Sequence, residues 1–176
     1  SASCYGLTKT KVKENFEINT EHPYALSKYL GELAVFHWHK VYGLPINSIR
    51  IFNAYGTRLR TTGTYGAVFG VFIKQKLKNK PLTIVGNGRQ SRDFVYVTDV
   101  ARAFLAAAKT NYIGKVYNVG SGKPQTVNYL ANLIGGKKVF IPDRPGEPKY
   151  SWTDISKIKR ELKWKPIIKF NNGVNK

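Results

Sequence analysis

The chain has 176 residues, of which 42% are hydrophobic, so it can bury one substantial core but not two full-size domains. No apolar run approaches the length that spans a bilayer, and the first ten residues lack the charged start and apolar stretch of a signal peptide. We therefore expect a cytoplasmic protein without a membrane partner. One cysteine and three histidines predict neither an internal disulfide nor a metal site.

The formal net charge of +19 raises the question of nucleic-acid binding, because clustered lysines and arginines neutralise a phosphate backbone. The densest basic stretch has a lysine at every second position from Lys74 to Lys80. On a helix this spacing points the side chains in several directions, which favours a solvated helix end over a binding patch. Nucleic acid is therefore not an expected partner, whereas anionic small molecules suit such a surface.

The clearest predicted element is a helix over residues 23–42. Pro23 suits a first helical turn, Gly43 suits the residue just past the end, and Pro45 prevents continuation. The next stretch, INSIRIF, is apolar without strict alternation, which predicts a strand covered on both faces. Around these elements we expect the end of a strand at residues 1–3, a helix over 66–79, a strand over 81–85 and a loop over 86–92.

Polar residues predict the starts of three helices in the second half of the chain. Asp99 suits the cap of a helix over 100–109, Thr126 that of a helix ending at Leu133, and Asp154 that of a helix over 155–164. A strand and a glycine turn are expected in KVYNVGSG, and another helix could start in the final FNNGVNK. Helices that alternate with buried strands predict an α/β fold.

The stretch HPYALSKYLGE places Tyr24 four positions before Lys28 in the first predicted helix. Residues four apart lie on one helix face, so the phenol and the ammonium can face one ligand. A nearby cation favours the phenolate form, which makes a general base conceivable near neutral pH. Tyr5 and Lys9 repeat the same spacing, so spacing alone cannot choose between the pairs. Context favours Tyr24, because Tyr5 is followed at once by a glycine and a polar stretch.

Six segments of the chain occur in the order seen in one enzyme family. They are SASCYG, PYALSK, RIFNAYGTR, PLTIVGNGRQSRDFVYVTDVARA, VYNVGSG and DRPGEPKYSWTDISKIKRELKWKP. From Ser1 to about Gly173 the chain resembles the extended short-chain dehydrogenase/reductase family, among its nucleotide-sugar epimerases and dehydratases. The resemblance is to the family's carboxyl-terminal two-thirds. No G-x-G-x-x-G or G-x-x-G-x-x-G follows a strand here, and the resemblance implies that this pyrophosphate-binding turn lies upstream of Ser1.

The resemblance implies an α/β fold in which the second part of a Rossmann-like doubly wound sheet is interleaved with a smaller α/β substrate-binding domain. Residues 1–53 and about 95–121 would form the Rossmann-like part. The substrate-binding part would comprise about 54–94 and 122–176.

The resemblance also implies catalytic and cofactor-binding roles. Tyr24 would be the general acid/base, and Lys28 would bind the nicotinamide ribose of NAD and favour the tyrosine's phenolate form. Ser1 aligns with a family serine or threonine that hydrogen-bonds the reacting sugar hydroxyl, with Ser3 as the alternative.

Substrate-binding roles follow in the same way. The resemblance implies that Asn53 contacts the diphosphate and that Arg92 and Arg144 hold it through their guanidinium groups. Leu82 to Val85 would lie near the base. Ser151, after Tyr150 in the wall of the sugar site, resembles a position in epimerases that have room for an N-acetylated sugar.

Each of these residues also has a structural interpretation. Arg92 could form a local surface ion pair with Asp93, Arg144 could organise its turn, and Asn53 could brace the loop after its strand. Ser1 could be a frayed terminus. The joint occurrence of the segments in family order favours the binding roles.

In this family an oxidised nicotinamide takes a hydride from a sugar carbon while the tyrosine takes the hydroxyl proton. The 4,6-dehydratases place an acidic pair directly after the serine or threonine, and related decarboxylases often carry a glutamate there. Ala2 and Ser3 stand in that place here. The resemblance therefore implies an NAD-dependent epimerase, acting on a UDP-hexose at the 4-position, as a homodimer.

Two alternatives remain open from the sequence. One is a nucleotide-sugar 4,6-dehydratase or decarboxylase of the same family. The other is a non-catalytic nucleotide-sugar-binding fragment, because this chain alone lacks the glycine turn and is expected to be inactive by itself.

Overall fold

The computed structural model describes residues 1–59, 61, 68–144 and 148–175. The helical elements are a 3₁₀ turn (Ala2–Tyr5), α1 (Pro23–Tyr42), α2 (Val68–Leu77), α3 (Val97–Lys109), α4 (Val127–Ile134), α5 (Ser156–Leu162) and α6 (Phe170–Val174). The strands are β1 (Ser48–Ile51), β2 (Asn53–Tyr55), β3 (Leu82–Val85), β4 (Ser91–Arg92), β5 (Phe94–Tyr96), β6 (Val116–Val119), β7 (Gln125–Thr126) and β8 (Lys138–Ile141). Helices and strands alternate along the chain, which confirms the expected α/β fold.

Strand pairing is mostly parallel: β1 pairs with β6, β2 with β5 and β3 with β8, whereas β4 and β7 are antiparallel. The chain changes partner at Phe52. Its amide donates to the Val119 carbonyl at 2.9 Å, whereas the next amide, that of Asn53, donates to the Asp93 carbonyl at 3.1 Å. Asn53 therefore lies just past the carboxyl end of β1, the edge at which ligands bind in open α/β sheets.

The buried apolar side chains form three clusters. The first lies around α2, β3 and α4 and includes Phe72, Leu82 and Leu130. The second lies against β6 and includes Tyr117, Ile158 and Trp164. The third consists of Cys4, Tyr5 and Val12, under the start of the chain. Because residues of α5 pack on β6, the second cluster draws on both expected parts of the chain, and their division into two domains stays a prediction.

The predicted helix ends are confirmed where residues close in sequence determine them. The first predicted helix is confirmed as α1: the His22 side chain accepts a hydrogen bond from the Ala25 amide at 3.2 Å, and Gly43 ends the helix with φ 66°. Thr126 caps α4, as expected, by accepting from the Tyr129 amide at 3.1 Å. Left-handed φ values favour glycine, which explains the clean stop of α1.

Three local predictions are wrong. Residues 1–3 do not end a strand, because the Gly6 amide donates to the Ser3 carbonyl at 3.2 Å and closes a 3₁₀ turn. Asp99 does not cap α3, which begins two residues earlier. Asp154 precedes the cap residue Ile155 of α5, although its carboxylate does accept from the Ser156 amide at 2.8 Å.

The remaining differences concern boundaries and short strands. The INSIRIF strand is shorter than expected, since only Ser48–Ile51 pair as β1. The helix expected over 66–79 is described as α2, and residues 66 and 67 lie outside the described part. The strand over 81–85 and the final helix are confirmed as β3 and α6. The strands β2, β4, β5, β7 and β8 were not expected, and β4 lies at the end of the stretch predicted as a loop over 86–92. Among the described residues, no helix is both long and apolar enough to cross a membrane.

Candidate functional site

Tyr24 and Lys28 lie in the first two turns of α1, at the surface of the described structure. Tyr24 is 37% exposed, and the Lys28 ammonium lies 5.4 Å from the centre of its ring. The His22 ring stacks on the same tyrosine with the ring centres 6.2 Å apart. The helix thus presents a phenol and an ammonium together to whatever binds beside them.

Tyr5, the other tyrosine with a lysine four positions later, lies in the opposite surroundings. It is 2% exposed, its hydroxyl donates to Asn118 Oδ1 at 2.7 Å, and it accepts from the Arg50 guanidinium at 2.8 Å. Burial outweighs the effect of Arg50 and raises the pKa of Tyr5 to about 12. A phenol held in its neutral form and committed to two partners is a structural group, so Tyr24 is the candidate base.

A cleft of about 370 Å³ lies at the carboxyl end of β1. Five of the residues expected in the site line it: Ser1, Tyr24, Asn53, Arg92 and Ser151. Ser3, the alternative to Ser1, lines it as well, and the two serine hydroxyls lie 3.0 Å apart. The remaining expected residues, Lys28, Val85 and Arg144, do not line this cleft.

Two polar contacts join the walls of the cleft. The Asn53 side-chain amide donates to Ser151 Oγ at 3.1 Å. The Arg92 guanidinium donates to the Pro148 carbonyl at 2.6 Å. Both contacts hold the segment around Ser151 against the strand ends, so Asn53 and Arg92 shape the cleft as well as line it.

The alternative of a surface ion pair between Arg92 and Asp93 does not match the position of Asp93. Its carboxylate is completely buried and accepts hydrogen bonds from the amides of Ser121, Gly122 and Thr153. Asp93 therefore ties two loops to the strand end behind the cleft. Sequence reasoning missed this role, because all three partners are distant along the chain.

A second cavity, of about 530 Å³, lies at the carboxyl end of β3 and is lined by Val85, Arg144 and Arg89, among others. It shares Pro148 and Tyr150 with the first cleft, so the two cavities adjoin. A ligand with two separate parts can therefore occupy both.

The glycine turn after β3 fits closely against one wall of this second cavity. Gly86 has φ 58°, and a Cβ at this position would collide with the Asp143 carboxylate. Both the backbone angle and the close approach require glycine.

A buried ion pair supports the helix that carries Tyr24. The Arg50 guanidinium lies 2.6 Å from Glu32 Oε1, and the two side chains are 6% and 9% exposed. Burial opposes the charge on Glu32, but hydrogen bonds from Arg50 and Ser48 outweigh it and lower the pKa of its carboxyl group. The pair fastens α1 to β1. An arginine within the apolar stretch INSIRIF was the available signal, since a charge buried there needs a partner.

Tyr24 at the cleft and Lys28 beside it bring together a phenol and an ammonium, groups that can hydrogen-bond the hydroxyls of a ribose. The sequence contains no glycine-rich turn for a pyrophosphate. In the described part of the chain, no three histidine, cysteine, aspartate or glutamate side chains are grouped so that they could hold a metal ion.

Known proteins match this chain closely. Residues 1–120 match the model of the NAD dependent epimerase/dehydratase family. A putative UDP-glucose 4-epimerase of Methanocaldococcus jannaschii is 39% identical over 171 residues, covering 94% of this chain and 55% of that protein. The uncharacterized UDP-glucose epimerase YtcB of Bacillus subtilis is 35% identical, covering 99% of this chain and 56% of that protein.

Solved structures agree with these relatives. The UDP-glucuronic acid 4-epimerase of Bacillus cereus, in complex with UDP-glucuronic acid and NAD, superposes with a TM-score of 0.89 at 34% identity, over 98% of this chain and 56% of that chain. The UDP-glucose 4-epimerase of Thermotoga maritima, with UDP-glucose, gives a TM-score of 0.90 at 31% identity, over 98% of this chain and 58% of that chain. The chain thus spans about half the length of the relatives that it matches. It belongs to the NAD-dependent epimerase/dehydratase family of nucleotide-sugar enzymes, with a Rossmann-like fold and NAD as the family cofactor.

Proposed function

We propose that the whole protein is a nucleotide-sugar 4-epimerase acting on a UDP-hexose. One observation carries this choice within the family: the described lining of the cleft contains Tyr24 and no carboxylate. A dehydratase or decarboxylase must move a proton at a second sugar carbon, which requires an acid or base beside the tyrosine. A cleft whose described lining offers tyrosine phenols and no carboxylate suits oxidation and re-reduction at a single carbon.

In this proposal Tyr24 accepts the proton of the sugar hydroxyl and later returns it. Lys28 holds the nicotinamide ribose, and its ammonium lies 5.4 Å from the centre of the Tyr24 ring. Ser1, or Ser3 beside it, donates a hydrogen bond to the reacting oxygen. NAD, when bound, supplies the hydride acceptor for the sugar carbon and the hydride donor for the opposite face.

The rest of the substrate would lie across the two adjoining cavities. Arg92 and Arg144 would neutralise the diphosphate, with Asn53 donating from the end of β1. The base would lie in the larger cavity near Val85, and the sugar in the cleft against Ser151. The shared residues Pro148 and Tyr150 support this arrangement, because a diphosphate at that boundary would join the two parts of the ligand. The related structures from B. cereus and T. maritima carry UDP-glucuronic acid and UDP-glucose respectively.

A homodimer through α1 is part of the proposal. Leu26, Leu30 and Leu33 are 45%, 53% and 46% exposed and lie along one side of α1, away from the face packed on the chain. A helix that stays apolar on a solvent-exposed side is generally covered by another element or a second copy. The expected cytoplasmic location stays a prediction, as does the absence of nucleic-acid partners.

The deciding experiment is an assay of the whole protein with NAD and UDP-glucose. We expect conversion to UDP-galactose, a product of the same mass, until the two sugars reach equilibrium. A product lighter by one water would identify a dehydratase. With UDP-glucuronic acid, a product that had lost carbon dioxide would identify a decarboxylase instead.

The present chain should give no turnover by itself, because the glycine-rich turn for the NAD pyrophosphate does not occur in it. If it turned over UDP-glucose with added NAD, the expectation that it is inactive alone would be wrong. UDP binding without turnover in the whole protein as well would favour the non-catalytic alternative.

A further inference from the structure

A basic pocket lies at the end of the β1–β6 pair opposite the cleft. It has a volume of about 490 Å³ and is lined by residues 13–15, 114–116, 154, 156, 157 and 160. The cleft lies beyond the carboxyl end of β1, whereas this pocket includes the residues at the start of β6. Because β1 and β6 are parallel, the two sites open at opposite ends of the strands. The basic pocket is therefore separate from the proposed epimerase site.

The charges around the basic pocket are unequal. Four cationic side chains line it, those of Lys13, Lys115, Lys157 and Arg160, against two carboxylates, those of Glu14 and Asp154. An anion that entered the pocket would meet a net positive field.

Both carboxylates are already engaged by the protein. Asp154 accepts from the Ser156 amide at 2.8 Å and pairs with Lys11 at 3.6 Å. Glu14 Oε1 accepts from the Asn118 amide at 2.9 Å. Because these contacts already occupy carboxylate oxygens of Asp154 and Glu14, the two side chains offset less of the positive charge of the lysines that line the pocket.

The cations fall into two kinds. Lys157 is fixed, since its ammonium donates to the Val116 carbonyl at 2.8 Å and lies 5.1 Å from the centre of the Tyr117 ring. Arg160 pairs with Glu161 at 2.8 Å. The ammonium groups of Lys13 and Lys115, by contrast, have no hydrogen-bond or ion-pair partner in the described part of the chain. They are available to a ligand.

The floor of the basic pocket is held in place by backbone contacts. The Val12 amide donates to the Trp152 carbonyl at 2.9 Å, and the Asp154 amide donates to the Val12 carbonyl at 2.8 Å. Lys13 and Glu14 therefore start from a fixed backbone next to the segment that carries Asp154. A site whose backbone is ordered before binding loses less entropy when a ligand arrives.

From this geometry we propose that the basic pocket binds a small polyanion of the diphosphate or triphosphate type. Lys13 and Lys115 would supply the main charge-assisted hydrogen bonds, with Lys157 and Arg160 adding positive potential. No aromatic side chain is among the described residues that line the pocket, so phosphate groups rather than a nucleobase would provide the contacts. This site goes beyond the proposed function, because the substrate diphosphate would lie at the other end of the strands.

The test is a calorimetric titration of the whole protein with inorganic pyrophosphate, in the presence of saturating UDP to fill the nucleotide site. We expect one binding event for the unmodified protein. In the double variant Lys13→Gln and Lys115→Gln, the affinity should fall by about tenfold, which is within the range that two exposed charge pairs contribute.

The matched control removes two lysines elsewhere, through Lys78→Gln and Lys80→Gln beyond the end of α2. Its pyrophosphate affinity should match that of the unmodified protein. Equal weakening in both double variants would show a general effect of net charge and overturn the site, as would a lack of pyrophosphate binding in the presence of UDP. If the first double variant fails to fold, Lys115→Gln alone allows the same comparison, with an expected loss of about threefold.

Discussion

Tyr5 and Tyr24 each precede a lysine by four residues, and their surroundings differ in nearly every other respect. Both line the cleft, but Tyr5 is 2% exposed and its phenol is committed to Asn118 and Arg50, whereas Tyr24 is 37% exposed. Burial raises the pKa of Tyr5 to about 12, so it stays neutral over the range in which an enzyme works. Access to a ligand therefore distinguishes the reactive candidate from the structural tyrosine, and sequence spacing does not.

The largest effect on activity is expected when only the Tyr24 hydroxyl is removed. In the whole protein, Tyr24→Phe should lower kcat by about a hundredfold to ten-thousandfold, the usual contribution of a general acid/base. The affinity for UDP, measured by calorimetry, and the thermal unfolding midpoint should change far less than kcat, because the variant keeps the ring and the side chain is 37% exposed. Turnover close to that of the unmodified protein would contradict the assigned role.

The buried surroundings of Tyr5 depend on Arg50, which donates to the Tyr5 hydroxyl at 2.8 Å and pairs with Glu32. Replacing it in Arg50→Met leaves Glu32 buried without its cation, which should reduce the free energy of unfolding by about 3 kcal/mol. Denaturant unfolding measures this loss. Arg160→Met is the matched control, because that arginine also pairs with a glutamate but its side chain is 68% exposed. It should cost less than about 1 kcal/mol. Equal losses in the two variants would mean that the buried pair has no special structural role.

A smaller effect on stability is expected for Tyr5, which hydrogen-bonds to Arg50. Tyr5→Phe keeps the ring in the third apolar cluster but leaves Asn118 and Arg50 each without one hydrogen bond. The free energy of unfolding should fall by about 1–2 kcal/mol, while kcat stays within about threefold. The result would be the reverse of that for Tyr24→Phe, which should lose activity and keep stability. If Tyr5→Phe instead lost activity at unchanged stability, the roles assigned to the two tyrosines would have to be exchanged.

The sequence predicts those features whose causes are close together along the chain. The start and end of α1 follow from His22, Pro23 and Gly43, and Thr126 caps α4 from within the same turn. Five of the expected site residues come together in one cleft, because family order carries information about spatial position that local spacing lacks.

The failures involve partners that lie far apart in sequence. Asp99 suits a helix cap by local rules, but in the fold its carboxylate accepts from the amides of Ile167 and Ile168 and pairs with Arg102. Asp93 likewise binds amides at residues 121, 122 and 153. The sequence identifies a carboxylate that needs partners, and only the tertiary structure shows which amides these are.

The smallest expected effect is the loss of stability at low pH that comes from the buried pair of Glu32 and Arg50. Hydrogen bonds from Arg50 and Ser48 lower the pKa of Glu32 below its ordinary value of 4.5 despite its burial. The folded state therefore binds this proton less readily than the unfolded chain, so the contribution of Glu32 to stability is present above 4.5 and is lost as the pH falls toward the lowered pKa. Thermal unfolding midpoints measured between about pH 6 and pH 3 should fall more steeply for the unmodified protein than for Glu32→Gln, which has no carboxyl group to titrate at position 32.

The exposed pair of Arg160 and Glu161 provides the control. Arg160→Met should keep most of the dependence of the unfolding midpoint on pH. Parallel curves for the unmodified protein and Glu32→Gln would place the acid sensitivity in other carboxylates, such as Asp154 and Glu161, whose pKa values are also lowered.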